Sequence, residues 1–552
     1  MEGGGITGTG IVSAATFLFA FAFAFAFFSR HPLYGRNRGC VVYPLLGNFI
    51  SFFRNRDRFL DWNTELMQKD ASQTIRNALP GGMEFHVTAN PDNIEHILRT
   101  KFENYPKGVY YQSVMEDLLG KGIFNVDGEH WKIQRKVASH EFTTRSLRDF
   151  TVESVAREVK RRLLPTLEHF CQSRVCFDLQ ELLMRFSFDN ICQIAFRVDP
   201  ACLHFSLPAV EFAEAFDEAT GIVAERFMSI HPLFWKIMRA LDIGSERRLR
   251  EALQVVDKFA MNVIRSRRKE IEDRKAKGEC GKDHSDLLSR FMSIEEDLLD
   301  YQELPDRDEF LKDVVISFLL AGKDTTATAL SWFFWALSAH PHVEQSCYDE
   351  MQSLLDGRSA SQSVNASTED HTQENKEHER SNAQQGSCVT FFAYDELKQM
   401  NYLQAAISES LRLYPPVPID IKFAMQDDVW PDGTVIRKNT NVMYHPYGVG
   451  RMESVWGKDC LQFKPERWVK EGICVPENPY KFPAFQAGPR ICLGKEMAMI
   501  QMKYVAATII YNFRIKLAVP DFKPKYAISL VMRMIGGLSV NVSNRQSQQA
   551  RC

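Results

Sequence analysis

The apolar residues of this 552-residue chain follow a helical repeat over long stretches and a strand-like alternation over short ones. Apolar side chains recur every three to four positions from Asp127 to about Lys277 and again from about Asp308 to Ala339, which places them on one face of a helix. Residues Glu84 to Thr88 alternate between apolar and polar, as a half-buried strand does. Further short strands are predicted from about Trp430 to Tyr444 and from Tyr526 to Val542. The pattern therefore predicts a mainly α fold with small β-sheets.

The N-terminal segment is a candidate membrane anchor. No charged residue occurs between Gly3 and Ser29, and Ile11 to Phe28 is almost wholly apolar. Eighteen helical residues span ~27 Å, about the thickness of the hydrocarbon core of a bilayer. Arginines follow directly at positions 30, 36 and 38, whereas Glu2 alone precedes the segment, so the positive-inside rule places the rest of the chain in the cytosol. A cleaved signal peptide is the alternative, although the segment lacks a basic start.

Changes in composition divide the chain into four parts. We predict an anchor over residues 1–29, a hinge over 30–48, one globular unit over 49–545 and a short tail over 546–552. Residues 356–387 interrupt the globular unit with a stretch rich in Ser, Gln, Asn, Glu and His that has almost no apolar side chains. Such a stretch cannot bury a core, so it predicts a disordered insertion.

Composition narrows the possible functions. A net charge of -3 with mixed signs gives no basic surface for nucleic acid, which we therefore exclude. The twelve cysteines are scattered without a Cys-x-x-Cys pair, so neither a zinc site nor a disulfide framework is indicated, and a reducing compartment fits best. Forty phenylalanines suit an interior that receives an apolar ligand.

One cysteine stands in a run that suggests a large planar ligand: Phe485-Gln-Ala-Gly488-Pro-Arg490-Ile-Cys492-Leu-Gly494. Gly488 and Gly494 permit turns and close approach that a Cβ would block. Arg490 supplies a permanent positive charge for an anionic group on the ligand. Phe485 would shield the sulfur of Cys492 from water. A buried structural cysteine in a glycine-rich turn is the alternative.

The run resembles the haem-ligand loop of the cytochrome P-450 monooxygenases, and the resemblance extends over roughly residues 31 to 545. It implies the cytochrome P-450 fold and a haem b cofactor (iron protoporphyrin IX) with Cys492 as the axial iron ligand. It also implies that the 49–545 unit is the catalytic domain. Trp131-Lys-Ile-Gln-Arg135 matches the family's Trp-x-x-x-Arg helix, so Trp131, Arg135 and Arg490 are expected to bind the haem propionates.

The sequence Ala321-Gly-Lys-Asp324-Thr325-Thr lies within the predicted 308–339 helix. Glycine and two threonines make this a locally poor helix. In the resemblance this is where dioxygen binds, with Thr325 as hydrogen-bond partner of the oxygen and Asp324 as a source of protons through water. The alternative is a glycine that packs against another helix, with threonines bonded back to the preceding turn.

A second acidic and basic motif is Glu409-Ser-Leu-Arg412, whose spacing puts both side chains on one helix face. Leu413-Tyr-Pro-Pro416 follows and ends the helix, and Arg467 lies further along the chain. The combination resembles the family's buried Glu-Arg-Arg lock. The resemblance implies a structural role for Glu409, Arg412 and Arg467, which hold the cysteine loop in place.

The implied activity is insertion of one oxygen atom from dioxygen into a carbon-hydrogen bond. We find no nucleotide- or flavin-binding unit in the sequence, so an NADPH-dependent flavoprotein reductase is the expected partner, and the endoplasmic reticulum membrane is the expected location. A haem-thiolate isomerase or an electron carrier is the alternative from another class. The acid-threonine pair argues against both, because a carrier has no use for a proton relay and such isomerases typically lose the threonine.

Several stretches resemble the plant chain-end (omega) fatty-acid hydroxylases. They lie at residues 122–128, 138–142, 332–335 and 415–420. They imply a fatty acid as substrate, hydroxylated at or near its chain end. Chain-end oxidation of an acyl-amino-acid hormone conjugate and hydroxylation of a steroid or terpenoid are the alternatives.

Overall fold

A computed structural model describes residue 43 and residues 46–80, 83–142, 145–207, 210–229, 231–277, 286–294, 307–366, 390–527 and 529–545. The predicted anchor (1–29), most of the predicted hinge and the predicted tail lie outside these residues. Within the described part of the chain, no helix combines the length and apolar character needed to cross a bilayer.

Helices make up most of the described structure, as predicted. The first ten are α1 Phe49–Arg54, α2 Phe59–Gln68, α3 Pro91–Glu95, α4 Gly108–Leu119, α5 Gly128–Phe142, α6 Arg145–Glu158, α7 Leu164–Ser173, α8 Leu179–Phe196, α9 Glu211–Phe227 and α10 Pro232–Leu241. The others are α11 Gly244–Ala276, α12 Leu287–Ile294, α13 Arg307–Ala339, α14 Pro341–Ala366, α15 Tyr394–Gln399, α16 Asn401–Leu413, α17 Pro446–Val449, α18 Glu453–Trp456 and α19 Lys495–Asn512.

The strands form small sheets at the periphery of the helical body. They are β1 Thr74–Leu79, β2 Met83–Thr88, β3 Phe177–Asp178, β4 Asp420–Phe423, β5 Asp428–Val429, β6 Val435–Ile436, β7 Asn441–Tyr444, β8 Val469–Lys470, β9 Ile473–Cys474, β10 Phe513–Leu517 and β11 Ser539–Asn544. The largest sheet has the order β1-β2-β7-β4, in which only the β2-β7 pair is parallel. A second sheet has the order β10-β11-β3, and β5-β6 and β8-β9 are two-stranded.

The long helix α13 is the centre of the fold. It packs against α8, α11, α16 and α19, and most of its side chains are buried on all faces. A Cβ at Gly322 would overlap the side chain of Ile191 on α8, so the glycine lets the two helices approach closely. The helix stays continuous through the Gly-Lys-Asp-Thr-Thr sequence. Close packing against α8 therefore explains the glycine, as in the helix-packing alternative.

Two predicted boundaries need correction. The insertion predicted as disordered over 356–387 is wrong for residues 356–366, because α14 continues to Ala366. This part of the segment has no proline, and Gln352 donates to Asp356 one turn ahead at 2.9 Å, so an existing helix is simply extended. The hinge predicted to end at 48 ends earlier, because buried Asn48 hydrogen-bonds Asn77 and the backbone of Ala78 on β1.

Candidate functional site

The Cys492 loop is held by its own backbone and by one neighbouring segment. Short 3-10 turns cover Pro483–Phe485 and Gly488–Arg490, and the amide of Cys492 donates to the carbonyl of Phe485 at 2.8 Å. Gly488 has a φ of +65°, and a Cβ there would overlap the carbonyl oxygen of Leu98. The loop thus needs glycine at 488 for both its backbone angle and its packing.

Cys492 lies three residues before the start of α19 and has most of its surroundings filled by protein, yet its side chain keeps an accessible face. Burial raises the pKa of its thiol, while the amide of Gly494 and the charges of Arg135 and Lys495 act in the opposite direction. The thiol therefore stays protonated until a metal ion or another strong charge stabilises the thiolate. A Cβ at Gly494 would come within 3.9 Å of the sulfur, so the glycine keeps the space beside it open.

The basic residues predicted from the sequence meet on one side of this loop. The guanidinium of Arg490 lies over the ring of Trp131 at 4.5 Å and donates to Asp127 at 2.6 Å. Arg135, one turn after Trp131 on α5, donates to the carbonyl of Ile491 at 2.5 Å. Burial lowers the pKa of both guanidinium groups.

Two further lysines, Lys107 and Lys422, were not predicted from the motifs. With Arg135 and Arg490 they form a group that we call the basic corner. Lys107 Nζ lies 2.7 Å from Asp420 Oδ1, and Lys422 Nζ lies 3.4 Å from Asp420 Oδ2. Burial lowers the pKa of Lys422 to about 7, because one shared carboxylate does not fully balance it. The pKa of Asp420 is below its usual range although burial opposes this, since Lys107 and Lys422 both stabilise its charge.

The balance of charges in the basic corner indicates which kind of ligand it can bind. The charges of Lys107, Lys422, Arg490 and Arg135 face the carboxylates of Asp127 and Asp420, which leaves an excess of two positive charges when Lys422 is protonated. A ligand with two carboxylates would neutralise it. The two propionates of haem have this charge, and a haem iron would accept the accessible sulfur of Cys492. The described residues therefore fit haem b.

The Glu409-Arg412 pair is fully buried and bidentate, with both N–O distances at 2.7 Å. Arg467 Nε lies 3.3 Å from Glu409 Oε1, and the indole of Trp468 donates to Glu409 at 2.8 Å. The ring of Trp468 packs 4.8 Å from that of Phe482, just before the cysteine loop. Arg412 also donates to the carbonyl oxygens of Gly450, Cys460 and Gln462. The structure thus joins α16 to the segment that precedes the loop.

Comparison with known proteins decides the family. The model of the family described as Cytochrome P450 matches residues 38–540. The chain is a cytochrome P450. Relatives include Cytochrome P450 86B1 of Arabidopsis thaliana, which is 42% identical over 92% of this chain and 86% of its own length. Cytochrome P450 94A1 of Vicia sativa is 40% identical over 92% of this chain and 90% of its own. Cytochrome P450 94B1 of Arabidopsis thaliana is 41% identical over 91% of both.

Membership confirms the predicted enzyme class, cofactor and helical fold. This cytochrome P450 is a haem monooxygenase that takes electrons from a reductase and acts on an apolar substrate. When bound, a haem iron with a thiolate ligand activates dioxygen for transfer to carbon. Cys492 would ligate the iron, and Trp131, Arg135, Arg490, Lys107 and Lys422 would hold the propionates. That assignment for each residue remains a prediction.

On α13 the structure separates the two residues predicted to handle protons. The hydroxyl of Thr325 donates to the carbonyl of Ala321 at 2.6 Å, as the helix-packing alternative expects, and its side chain is partly accessible. Asp324 is buried and paired with Lys323 at 2.8 Å and with Arg533 at 2.7 Å. No motif in the sequence predicts the Arg533 contact.

A sequence signal for Lys422 did exist. Asp420 and Lys422 stand two residues apart in the sequence, and a strand over this segment, as β4 is, puts them on one face. Although β4 lies at the edge of its sheet, both residues are buried, so protein covers the face that they share. Lys107 gave no comparable signal, because its partner is more than three hundred residues away.

Proposed function

We propose that this cytochrome P450 hydroxylates a fatty acyl chain at or near its end. The observation that carries the proposal is the character of the partly accessible stripe on α13: Leu320, Ala321, Gly322 and Thr325. It is apolar or small, whereas Lys323 and Asp324 between these residues are buried and ion-paired. An uncharged chain end suits this stripe.

The charge balance supports the same orientation. The excess positive charge near Cys492 is matched by the haem propionates, so none is left to bind a substrate carboxylate there. A fatty acid would then bind with its terminal methyl towards the iron and its carboxylate away from it. Because a terminal carbon-hydrogen bond is stronger than an internal one, the site must select the terminal carbon by positioning.

Product analysis with the reconstituted enzyme tests the proposal. Saturated fatty acids of increasing length should give terminal or near-terminal alcohols, and affinity should rise with length, since each buried methylene contributes about 0.8 kcal/mol. The Cys492→Ser variant controls for products that do not depend on the haem. Turnover of sterols or terpenoids with no fatty acyl product would reject the substrate. Exclusive turnover of acyl-amino-acid conjugates would favour that alternative.

We further propose that Asp324 and Thr325 handle the protons of the reaction and that NADPH supplies electrons through a flavoprotein reductase. Thr325 has its hydroxyl on the accessible stripe, and Asp324 is the carboxylate next to it. Asp324→Asn should lower kcat, with substrate affinity unchanged. If NADPH reduced the haem iron without an added reductase, the proposed need for a reductase partner would be refuted.

We also propose that the enzyme is anchored in the endoplasmic reticulum membrane with its catalytic domain in the cytosol. The uncharged stretch up to Ser29 supports this, and so does α10, which exposes an apolar face made of Leu233, Phe234, Ile237 and Leu241. Deletion of residues 1–29 should weaken membrane binding, and Ile237→Glu in the truncated protein should weaken it further. Leu461→Glu, at an exposed residue on another segment, is the matched control. Equal release by both substitutions would refute a role for α10.

A further inference from the structure

Four buried or partly buried charges from three segments form a closed ring beside Thr325. Lys323 Nζ lies 2.5 Å from Asp217 and 2.8 Å from Asp324. Arg533 contacts the same two carboxylates, each at 2.7 Å. Each cation thus contacts both acids, and the charges cancel. We call Asp217, Lys323, Asp324 and Arg533 the charge ring.

The members differ in how firmly they are held. Lys323 and Asp324 belong to α13, and Arg533 follows Met532, whose amide bonds Pro416 at 2.8 Å and whose carbonyl accepts from the Trp332 indole at 2.6 Å. Asp217 comes from α9, which packs along α11 and α4. It is also the most exposed member, with 36% of its side chain accessible against 2% for Asp324. Asp217 is therefore the member of the charge ring that comes from a different layer of helices.

We propose that Asp217 is a positioning residue that allows Asp324 to leave the charge ring for proton transfer. This rests on the proton-handling role proposed for Asp324. For Asp324 to reach the stripe beside Thr325, its carboxylate must separate from Lys323 and Arg533. Two buried cations without a counterion would make that movement very unfavourable. Because Asp217 contacts both cations, it continues to balance one of the two positive charges while Asp324 is away.

Removal of Asp217 has a defined consequence under this arrangement. With asparagine at 217, Lys323 and Arg533 have one carboxylate left in the ring and hold it more tightly. Asp324 would then exchange protons slowly, although its own side chain and its neighbour Thr325 are unchanged. The ring also explains why Lys323 is buried next to an acid on the same helix.

The experiment compares Asp217→Asn with Glu214→Gln, an exposed acid one turn earlier on α9. Substrate affinity from the haem absorption shift, kcat, product per NADPH and the solvent isotope effect on kcat are measured for the holoenzyme. For Asp217→Asn we expect kcat to fall roughly tenfold or more and the solvent isotope effect to increase, with affinity unchanged. Glu214→Gln should match the parent, and Asp217→Glu should recover most of the activity.

A charge-balanced double variant distinguishes loss of the proposed role of Asp217 from a general loss of folding. Asp217→Asn with Lys323→Met leaves one cation, Arg533, and one acid, Asp324, and should regain at least half of the parent kcat. Failure of this rescue, or a kcat loss in Asp217→Asn without a larger solvent isotope effect, would overturn the proposal. If Asp324→Asn itself leaves kcat unchanged, the proton-handling role fails first, and the inference about Asp217 fails with it.

Discussion

Replacement of Gly488 by alanine tests how the Cys492 loop is held. The change has two separable costs in the free energy of unfolding. A left-handed backbone with a Cβ costs ~1–2 kcal/mol at the φ of +65° observed here. Overlap of that Cβ with the Leu98 carbonyl adds ~1–3 kcal/mol, a typical value for overpacking. The expected total is therefore about 2–5 kcal/mol.

Two other glycines separate these costs. Gly433 has a φ of +82° with no atom within 4 Å of an added Cβ, so Gly433→Ala should show the backbone cost alone. Gly221 on α9 has no positive φ and no atom within 4 Å of an added Cβ, so Gly221→Ala should cost little. The unfolding entropy is ~2.1 cal/mol/K per residue, so ~1 kcal/mol shifts the Tm of a chain this long by ~1 °C.

Thermal unfolding of the holoenzyme at one scan rate is the assay, followed by circular dichroism and by the thiolate-type carbon monoxide spectrum. Gly488→Ala should melt about 2–5 °C below the parent, and Gly433→Ala about 1–2 °C below it. If Gly488→Ala and Gly433→Ala melt together, the contact with Leu98 carries no cost and the packing argument is wrong. A Gly488→Ala variant that melts above the parent would refute both the backbone cost and the packing cost.

Cys492→Ser should abolish the thiolate-type carbon monoxide spectrum, whereas Cys460→Ser, a buried cysteine elsewhere, should keep it. Lys422→Met removes one of the two excess positive charges, so haem should transfer to a scavenging globin roughly tenfold faster or more; exposed Lys438→Met should transfer at the parent rate. Burial raises the pKa of Asp313 to about 6, so the folded state binds a proton that the unfolded chain has released, and stability should fall as pH rises from about 4 to about 6. Asp313→Asn should flatten that dependence in urea titrations; an unchanged slope would refute the assignment.

The structure places two of the sequence predictions in a different context. Thr325 and Gly322 were candidates for either oxygen chemistry or helix packing, and the packing geometry is present for both: a bond to Ala321 and an approach to Ile191. That geometry does not remove the chemical role, because the hydroxyl still lies on the accessible stripe. The Thr325 bond lies within α13, whereas the approach of Gly322 to Ile191 depends on a second helix that no local pattern describes.

The insertion predicted at residues 356–387 shows another limit of prediction from local sequence. Its polar composition excludes a buried core, but it does not forbid a helix that begins in a well-packed segment. Residues 356–366 extend α14 because propagation adds one hydrogen bond per residue to a helix that already exists. A polar composition therefore argues against a buried core but does not decide secondary structure.

The sequence by itself determined the family, the cysteine loop, the Glu409-Arg412 pair and the long central helix. The loop and the Glu409-Arg412 pair each depend on residues within about ten positions of one another, where backbone geometry alone sets which side chains meet. Only the tertiary structure decided the partners of Lys107, Asp217 and Arg533, which come from segments more than a hundred residues apart. In a sequence, a charged side chain looks the same whether water or a buried carboxylate balances it. Folding decides which, because burial removes the water and makes the distant partner obligatory.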